Sequence, residues 1–367
     1  MKLVVIVQTI LPHYRSSLFH LLVKEKGIRF KILAGKTDGG IKEMSITNAG
    51  INNSLCNHIL QLAGHRFIFQ SGLFSAIKAL RPDFVLLGGP DVHVVSNLLL
   101  FFYLRIFTKT EVHWWTHGVS SKQSILRSIQ LFLIKFSNGV LTYEVEGKNT
   151  ITQFMKSRAI NITVLKNAIN TEDYGLLLDH RKNKKAPFCI LFAGRLTLAK
   201  RCDILIKSAK RLKDAGLSFR VEIIGNGPEL NTCKSLVDTL QLNDYVTFHG
   251  AKYDDELRAI FSRADIFVLP GKVGLSALHA LSYGLPVLTT DQDIHSPEIA
   301  LIQKGYNGGF FHGLSEESLA IKIQEWMNIL KEDNESVRAR VKKSVQLAGY
   351  TPEAMVDEFV KHFRNLV

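Results

Sequence analysis

Arg195 and Lys200 stand in the segment Ala-Gly-Arg-Leu-Thr-Leu-Ala-Lys (193–200), directly after an apolar run that reads as a strand. Two cations beyond the carboxyl end of a strand suit a diphosphate, because hydrogen bonds between ionised groups are the strong ones. The pair also fits a solvated loop with two surface cations. Gly225-Asn226-Gly227-Pro228 again follows an apolar run. Its glycines allow a tight turn close to a ligand, and Pro228 suits a helix start. Taken alone it is equally an ordinary strand-to-helix turn. The most specific signal is the stretch 269–288, which reads as a strand, a glycine loop and a helix beginning near Gly274. Free N–H groups at such a start can bind phosphate oxygens. His279 lies one turn after Leu275, and helical side chains lean towards the amino terminus. It is placed to approach a ligand at that end, or to serve as a structural histidine. A helix amino terminus disfavours positive charge, so a neutral ring is expected.

Asp291-Gln292-Asp293 resembles a DxD motif, in which paired carboxylates hold a divalent cation. It follows a late strand, and the reading adopted is a loop with no metal. There is no GxGxxG fingerprint, GxxxxGK[ST] loop, HExxH or EF-hand pattern, which weighs against a dinucleotide dehydrogenase and a P-loop NTPase.

The elements that must position these residues alternate between strand and helix. In the first half, apolar runs at 3–7, 30–35, 84–89, 112–118, 139–143 and 162–167 read as strands, with helical patterns between them, as at 71–80 and 121–136. A polar, charged stretch at 181–187 reads as a linker. Beyond it strands at 188–194, 219–225, 246–250, 265–271 and 286–290 alternate with helices. Such alternation predicts an α/β protein of parallel sheets with crossover helices, in two Rossmann-like domains at 1–180 and 187–345.

The 367 residues are ordinary globular material, 46% hydrophobic and 22% charged, which excludes a disordered chain or a coiled coil. Net charge is +13, of which +9 falls in residues 1–180. That excess points to an anionic partner. The four cysteines show no CxxC spacing, so the expected setting is a reducing cytosol. The start, MKLVVIVQTILPHYR, is not expected to be a signal peptide. No apolar run approaches the ~20 residues that span a bilayer. In 98–109 and 121–136, basic residues (Lys122, Arg127 and Lys135 in the second) lie beside apolar helical faces. These segments are expected either to pack as core helices or to rest on an anionic membrane.

In order and spacing, the Gly-Arg…Lys of 194–200, the Gly-x-Gly-Pro of 225–228, VTFHG (246–250) and the stretch 269–288 resemble GT-B glycosyltransferases, particularly retaining family 4. SPEIA (296–300), YNGG (306–309) and VLKNAIN (164–170) add to the likeness, which covers nearly the whole chain. The resemblance implies two Rossmann-like domains facing a central cleft, and a last helix at 352–367 returning to the first domain. It implies a nucleotide-sugar donor in the second domain, with Arg195 and Lys200 on the diphosphate, the backbone at Gly274 and Leu275 beside them, and Gly225, Asn226, Gly227 and Ala251 lining the donor site, Ala251 near the base. It implies that His117, in Trp-Thr-His-Gly, lies near the donor sugar. His13, Tyr14 and Arg15 fall where the family's acceptor loop lies, with Arg15 expected to meet an acceptor phosphate. His117, Arg195 and Lys200 are the expected catalytic residues; neither metal nor cofactor is expected.

The family's two glutamates, eight positions apart, align with Gly271 and His279. Neither is acidic, although an imidazole can still bond a ribose hydroxyl. The expected activity is transfer of a sugar to a saccharide or polyprenyl-diphosphate-linked acceptor in cell-surface polysaccharide synthesis. The expected location is cytoplasmic, with peripheral membrane contact. A nucleotide-sugar epimerase or hydrolase, an inactive nucleotide-sugar-binding homologue and a basic nucleic-acid-binding protein are the alternatives. Dispersed basic residues and the absence of a nucleic-acid motif weigh against the last.

Overall fold

A computed structural model describes residues 1–36, 43–44, 46, 48–119, 124–143, 145–155, 160–169, 186–292 and 295–366. Most of the linker at 181–187, Lys122 and Asp293 lie outside the described residues. The chain forms two compact units, Met1–Asn170 with Tyr350–Val367, and Thr171–Gly349.

In chain order the first unit holds β1 (Leu3–Gln8), α1 (Ser16–Leu22), β2 (Arg29–Gly35), β3 (Ile51–Leu62), β4 (His65–Ser71), α2 (Leu73–Leu80) and β5 (Phe84–Gly88). There follow α3 (Val95–Phe107), β6 (Glu111–Thr116), α4 (Ile125–Lys135), β7 (Gly139–Thr142), α5 (Val145–Met155) and β8 (Asn161–Val164). The eight strands run in the order β4-β3-β2-β1-β5-β6-β7-β8. All pairs are parallel except β3 with β4. This hairpin corrects the expectation of a purely parallel sheet. Ala63 and Gly64 turn it with φ of 49° and 76°, the left-handed pair that matches strand twist.

The central strands are buried along nearly their whole length, as in LVVIV at 3–7, because helices cover both faces. Leu100, Phe101 and Leu104 of α3 and Leu133 and Ile134 of α4 pack in one layer with Val5, Val85 and Trp114. The opposite layer joins Phe19 of α1 to Ile6, Ile32 and Trp115. The last helix belongs to this layer, through Met355, Phe359 and Phe363. His362 on that helix bonds the Thr163 hydroxyl at 2.8 Å and His113 at 3.0 Å, and both imidazoles are buried.

The second unit continues with β9 (Phe188–Ala193), α6 (Cys202–Asp214), β10 (Phe219–Ile224), α7 (Leu230–Thr239), β11 (Val246–Gly250), α8 (Asp254–Arg263) and β12 (Ile266–Leu269). It is completed by α9 (Leu275–Ser282), β13 (Val287–Thr290), β14 (Gly308–Phe311), α10 (Glu316–Glu332) and α11 (Asn334–Leu347), after which α12 (Pro352–Arg364) returns to the first unit. Its six strands are all parallel, in the order β11-β10-β9-β12-β13-β14. The chain order reverses at β9, which has β10 on one side and β12 on the other. In open α/β sheets that switch point opens a crevice at the strands' carboxyl ends.

Candidate functional site

The loops at this switch point are tied to one another by backbone bonds. Gly194 N–H donates to Ile224 at 3.0 Å, Leu196 N–H to Asn226 at 2.9 Å, and Gly225 N–H to Gly250 at 2.8 Å. The turn after β10 therefore lies against the turn after β9. Gly225 has φ of 139°, and a Cβ there would stand 1.9 Å from the Gly194 carbonyl oxygen. Only glycine fits. Ala251, exposed, follows β11 beside this turn.

Leu198–Lys200 form a 3-10 turn that reaches across to the end of β12. Gly271 N–H donates to the Lys200 carbonyl at 3.1 Å, and Lys272 N–H to the Ala199 carbonyl at 2.8 Å. The Lys200 ammonium donates to the Lys272 carbonyl at 2.6 Å. It also comes within 3.5 Å of where a Cβ on Gly274 would stand, at the start of α9. A Cβ on Gly271 would meet the Ala199 carbonyl oxygen at 2.2 Å. The missing carboxylate is thus more than a substitution: the backbone occupies the space a side chain would need.

Arg195, Lys200 and Lys272 bring three cations to the ends of β9 and β12. Arg195 and Lys272 are exposed and Lys200 is half-buried. Burial, followed by repulsion from Lys272, lowers the Lys200 ammonium below the ordinary lysine value, while Glu298 pulls the other way. His295, which no sequence signal marked, fixes the loop before α9. Its Nδ1 accepts from the Val273 N–H at 3.1 Å and its Nε2 lies 3.1 Å from the Thr290 carbonyl. These two bonds define a neutral ring protonated on Nε2. Ser296 N–H adds a bond to the Val273 carbonyl at 3.3 Å.

His279 occupies the last turn of α9, not its amino terminus. Its ring centroid is 6.4 Å from that of Phe261, and burial pushes its pKa down to about 4. The ring is neutral as expected, but burial is the cause. Asp291 accepts from the Gly313 N–H at 2.7 Å and meets His312 at 2.9 Å, contacts that suit a loop anchor after β13.

In the first unit, His13, Tyr14 and Arg15 form a 3-10 turn after β1, with His13 exposed and Tyr14 half-buried. Arg15 is only 8% exposed. It donates to Gln8 Oε1 at 3.2 Å and to the Tyr143 hydroxyl, and stacks 4.5 Å above Trp115. These bonds turn the guanidinium inward. Its Nε has no hydrogen-bond acceptor among the described residues. His117 follows β6 with its ring 4.5 Å from that of Tyr143. His117 and Arg15 therefore share Tyr143, a residue the sequence did not single out, at the carboxyl ends of β1, β6 and β7.

Comparison with known proteins bears on what these residues serve. A family profile described as "Glycosyl transferases group 1" matches residues 178–362. The chain is 29% identical over 168 residues to the putative colanic acid biosynthesis glycosyltransferase WcaL of Salmonella typhimurium, covering 43% of this chain and 41% of that protein. It is 30% identical over 159 residues to the amylovoran biosynthesis glycosyltransferase AmsK of Erwinia amylovora, covering 41% and 38%. The match spans about two fifths of these relatives' length. The lipopolysaccharide outer core galactosyltransferase WaaB, in its apo form, superposes with a TM-score of 0.68 at 15% identity, over 100% of both chains. Anabaena Alr3699/HepE in complex with UDP superposes with 0.69 at 14% identity, again over 100% of both. These likenesses establish the GT-B fold.

Proposed function

The chain belongs to the group 1 glycosyl transferases, and from that membership we propose that it moves a sugar from a nucleotide-sugar donor to a saccharide or lipid-linked saccharide acceptor during cell-surface polysaccharide synthesis. The observation that carries the proposal is the cationic, hydrogen-bond-rich edge of the second sheet. There Arg195 is exposed, and Lys200 is tied to the loop that begins α9. Both groups suit a diphosphate, and the free N–H groups at Gly274 and Leu275 add donors of the right polarity. Gly225, Asn226, Gly227 and Ala251 would border the nucleoside, and His279 would offer a neutral ring to a ribose hydroxyl. The names of the polysaccharide-building relatives support the biosynthetic setting.

In the proposed reaction the acceptor oxygen bonds to the anomeric carbon as that carbon's bond to the diphosphate breaks. The departing pair of electrons resides on the diphosphate, which Arg195, Lys200 and the start of α9 stabilise. A donor phosphate oxygen takes the acceptor proton on the same face, so configuration is retained. Side-chain cations supply the positive charge, and the proposal includes neither metal nor cofactor. Acceptor contacts are assigned to the turn of His13, Tyr14 and Arg15, in which the inward-turned Arg15 braces the other two through Gln8 and Tyr143 in place of the direct phosphate contact expected of it, with His117 beside the reacting sugar. The reaction is assigned to the cytoplasm.

A second reading, donor binding without transfer, is favoured by one observation: the backbone closes the space at Gly271. A thermal-shift screen with UDP, GDP, TDP and ADP and then their sugars tests donor use, since a ligand at 100 times its Kd stabilises the fold by about 2.7 kcal/mol. Stabilisation by a nucleotide sugar without transfer to any saccharide or polyprenyl-linked acceptor would select the second reading. No stabilisation by any nucleotide would overturn both.

A further inference from the structure

The amphipathic stripe of α4 faces outward. Ile125, Ile129, Phe132 and Phe136 recur at helical spacing, and all four are exposed, Ile125 at 81% and Phe132 at 51%. Leu131, Leu133 and Ile134 make the inward contacts instead. Helix α3 repeats the pattern with Leu99, Phe102, Ile106 and Phe107, the last two exposed at 67% and 72%. The two helices are neighbours on one face of the first sheet. Phe101 lies tilted against Trp114 with centroids 5.1 Å apart, and Trp114 Nε1 donates to the Leu133 carbonyl at 3.4 Å. Arg105 of α3 donates to Asn138, just past α4, at 2.8 Å. Rows of exposed apolar side chains on two helices of one sheet face exceed the singly scattered apolar residues that a surface ordinarily carries.

Charge identifies the occupant. The described residues of 95–109, 124–136 and 145–155 carry Arg105, Lys109, Arg127, Lys135 and Lys148 against a single carboxylate, Glu146. At the end of α3 a cavity of about 640 Å³ is lined by Lys2, Lys78, Arg81 and Lys109, with Asp83 and Glu111 opposing them. Tyr103 joins this cavity to the apolar face. It lines the wall, and its ring centroid lies 5.8 Å from that of Phe107. Two copies of the chain meeting face to face would bring like charges together. Among the described residues no helix is long and apolar enough to cross a membrane. Apolar side chains flanked by cations instead suit a helix lying in the plane of a bilayer with anionic headgroups.

We propose that the α3–α4 face of the first unit docks on an anionic phospholipid bilayer. Its apolar side chains enter the headgroup–acyl boundary, and its cations pair with headgroup phosphates. The experiment is vesicle flotation of the full chain on phosphatidylcholine alone and on phosphatidylcholine mixed with phosphatidylglycerol. The wild type is expected to float with the mixed vesicles only. Lys109→Gln and Lys135→Gln should each weaken that binding by about fivefold. A variant combining Ile106→Ser, Phe107→Ser, Ile125→Ser and Phe132→Ser should stay in the soluble fraction. It should also keep its melting temperature and its stabilisation by nucleoside diphosphate, which separates docking from donor use. Failure of the wild type to float, or flotation of the serine variant at wild-type level, would overturn the proposal. So would a wild-type dimer that the serine variant converts to monomer, since the face would then belong to a second copy.

Discussion

The Lys200 ammonium is held by the backbone of Lys272: Nζ donates to that carbonyl at 2.6 Å while the Lys272 side chain remains exposed. One lysine thus ties two loops together and presents charge beside the start of α9. Burial, with repulsion between the two cations added to it, lowers the Lys200 pKa from 10.5. The ammonium therefore loses its proton at lower pH than an ordinary lysine. Donor affinity should fall as pH rises towards 10.5, and Lys200→Arg should move that fall to higher pH. Titration of a nucleoside diphosphate across alkaline pH measures it. An identical profile for wild type and variant would count against Lys200 as the titrating group.

Arg195 and Lys200 differ in what else they do, so their variants should differ. Arg195→Ala removes a charge-assisted contact worth roughly 1.5–3 kcal/mol, or about 10- to 150-fold in donor kcat/KM. Arg195 is exposed and has no ion-pair partner among the described residues, so the melting temperature should stay put. Lys200→Ala should lose donor use and also lower the melting temperature, because the tie to Lys272 goes with it. Steady-state kinetics and calorimetry on both variants check the split.

Gly271 marks where the chain departs from the two-glutamate pattern. Gly271→Glu restores the residue type but places a Cβ 2.2 Å from the Ala199 carbonyl oxygen. It should destabilise the second unit by about 1–3 kcal/mol, as overpacking does, and add no activity. Gain of transfer activity at unchanged melting temperature would show that the loop moves freely.

His279 and His362 are held neutral by burial, with pKa values of about 4 and about 3, and His113 is lowered as well. In the unfolded chain each titrates near 6.5. The unfolded state therefore binds more protons below pH 6.5, and stability falls as pH drops through that value towards 4 and 3. For one such histidine the loss at pH 5 is on the order of 2 kcal/mol. Urea unfolding at pH 7 and pH 5 should show the decline, and His362→Gln should flatten it. Separately, His279→Ala should raise donor KM more than it lowers kcat if the ring meets the ribose. A drop in melting temperature alone would leave it a core histidine beside Phe261.

The sequence was legible where local chemistry dictates the answer. FCILFAG reads as a buried strand, and GNGP as the turn after another, because continuous apolar runs and glycine turns mean the same thing in most contexts. The β3–β4 hairpin was not legible. INNSLCNHILQL mixes polar and apolar residues along a largely exposed strand, and its turn is Ala-Gly and lacks the strong Asn-Gly signal. In α4 the periodicity was correct, but periodicity defines a stripe without saying what covers it. His295 and Tyr143 escaped notice because their roles depend on Val273, Thr290, Arg15 and His117, which only the fold assembles around them.

In the proposed reaction, the edge formed by Arg195, Lys200 and the start of α9 binds the diphosphate of a nucleotide sugar. Calorimetric titration of wild type and Arg195→Ala with UDP, GDP, TDP and ADP tests it most directly. The wild type should bind at least one of these saturably, and the variant about 10- to 150-fold more weakly. Binding of none, or equal binding by both proteins, would contradict it.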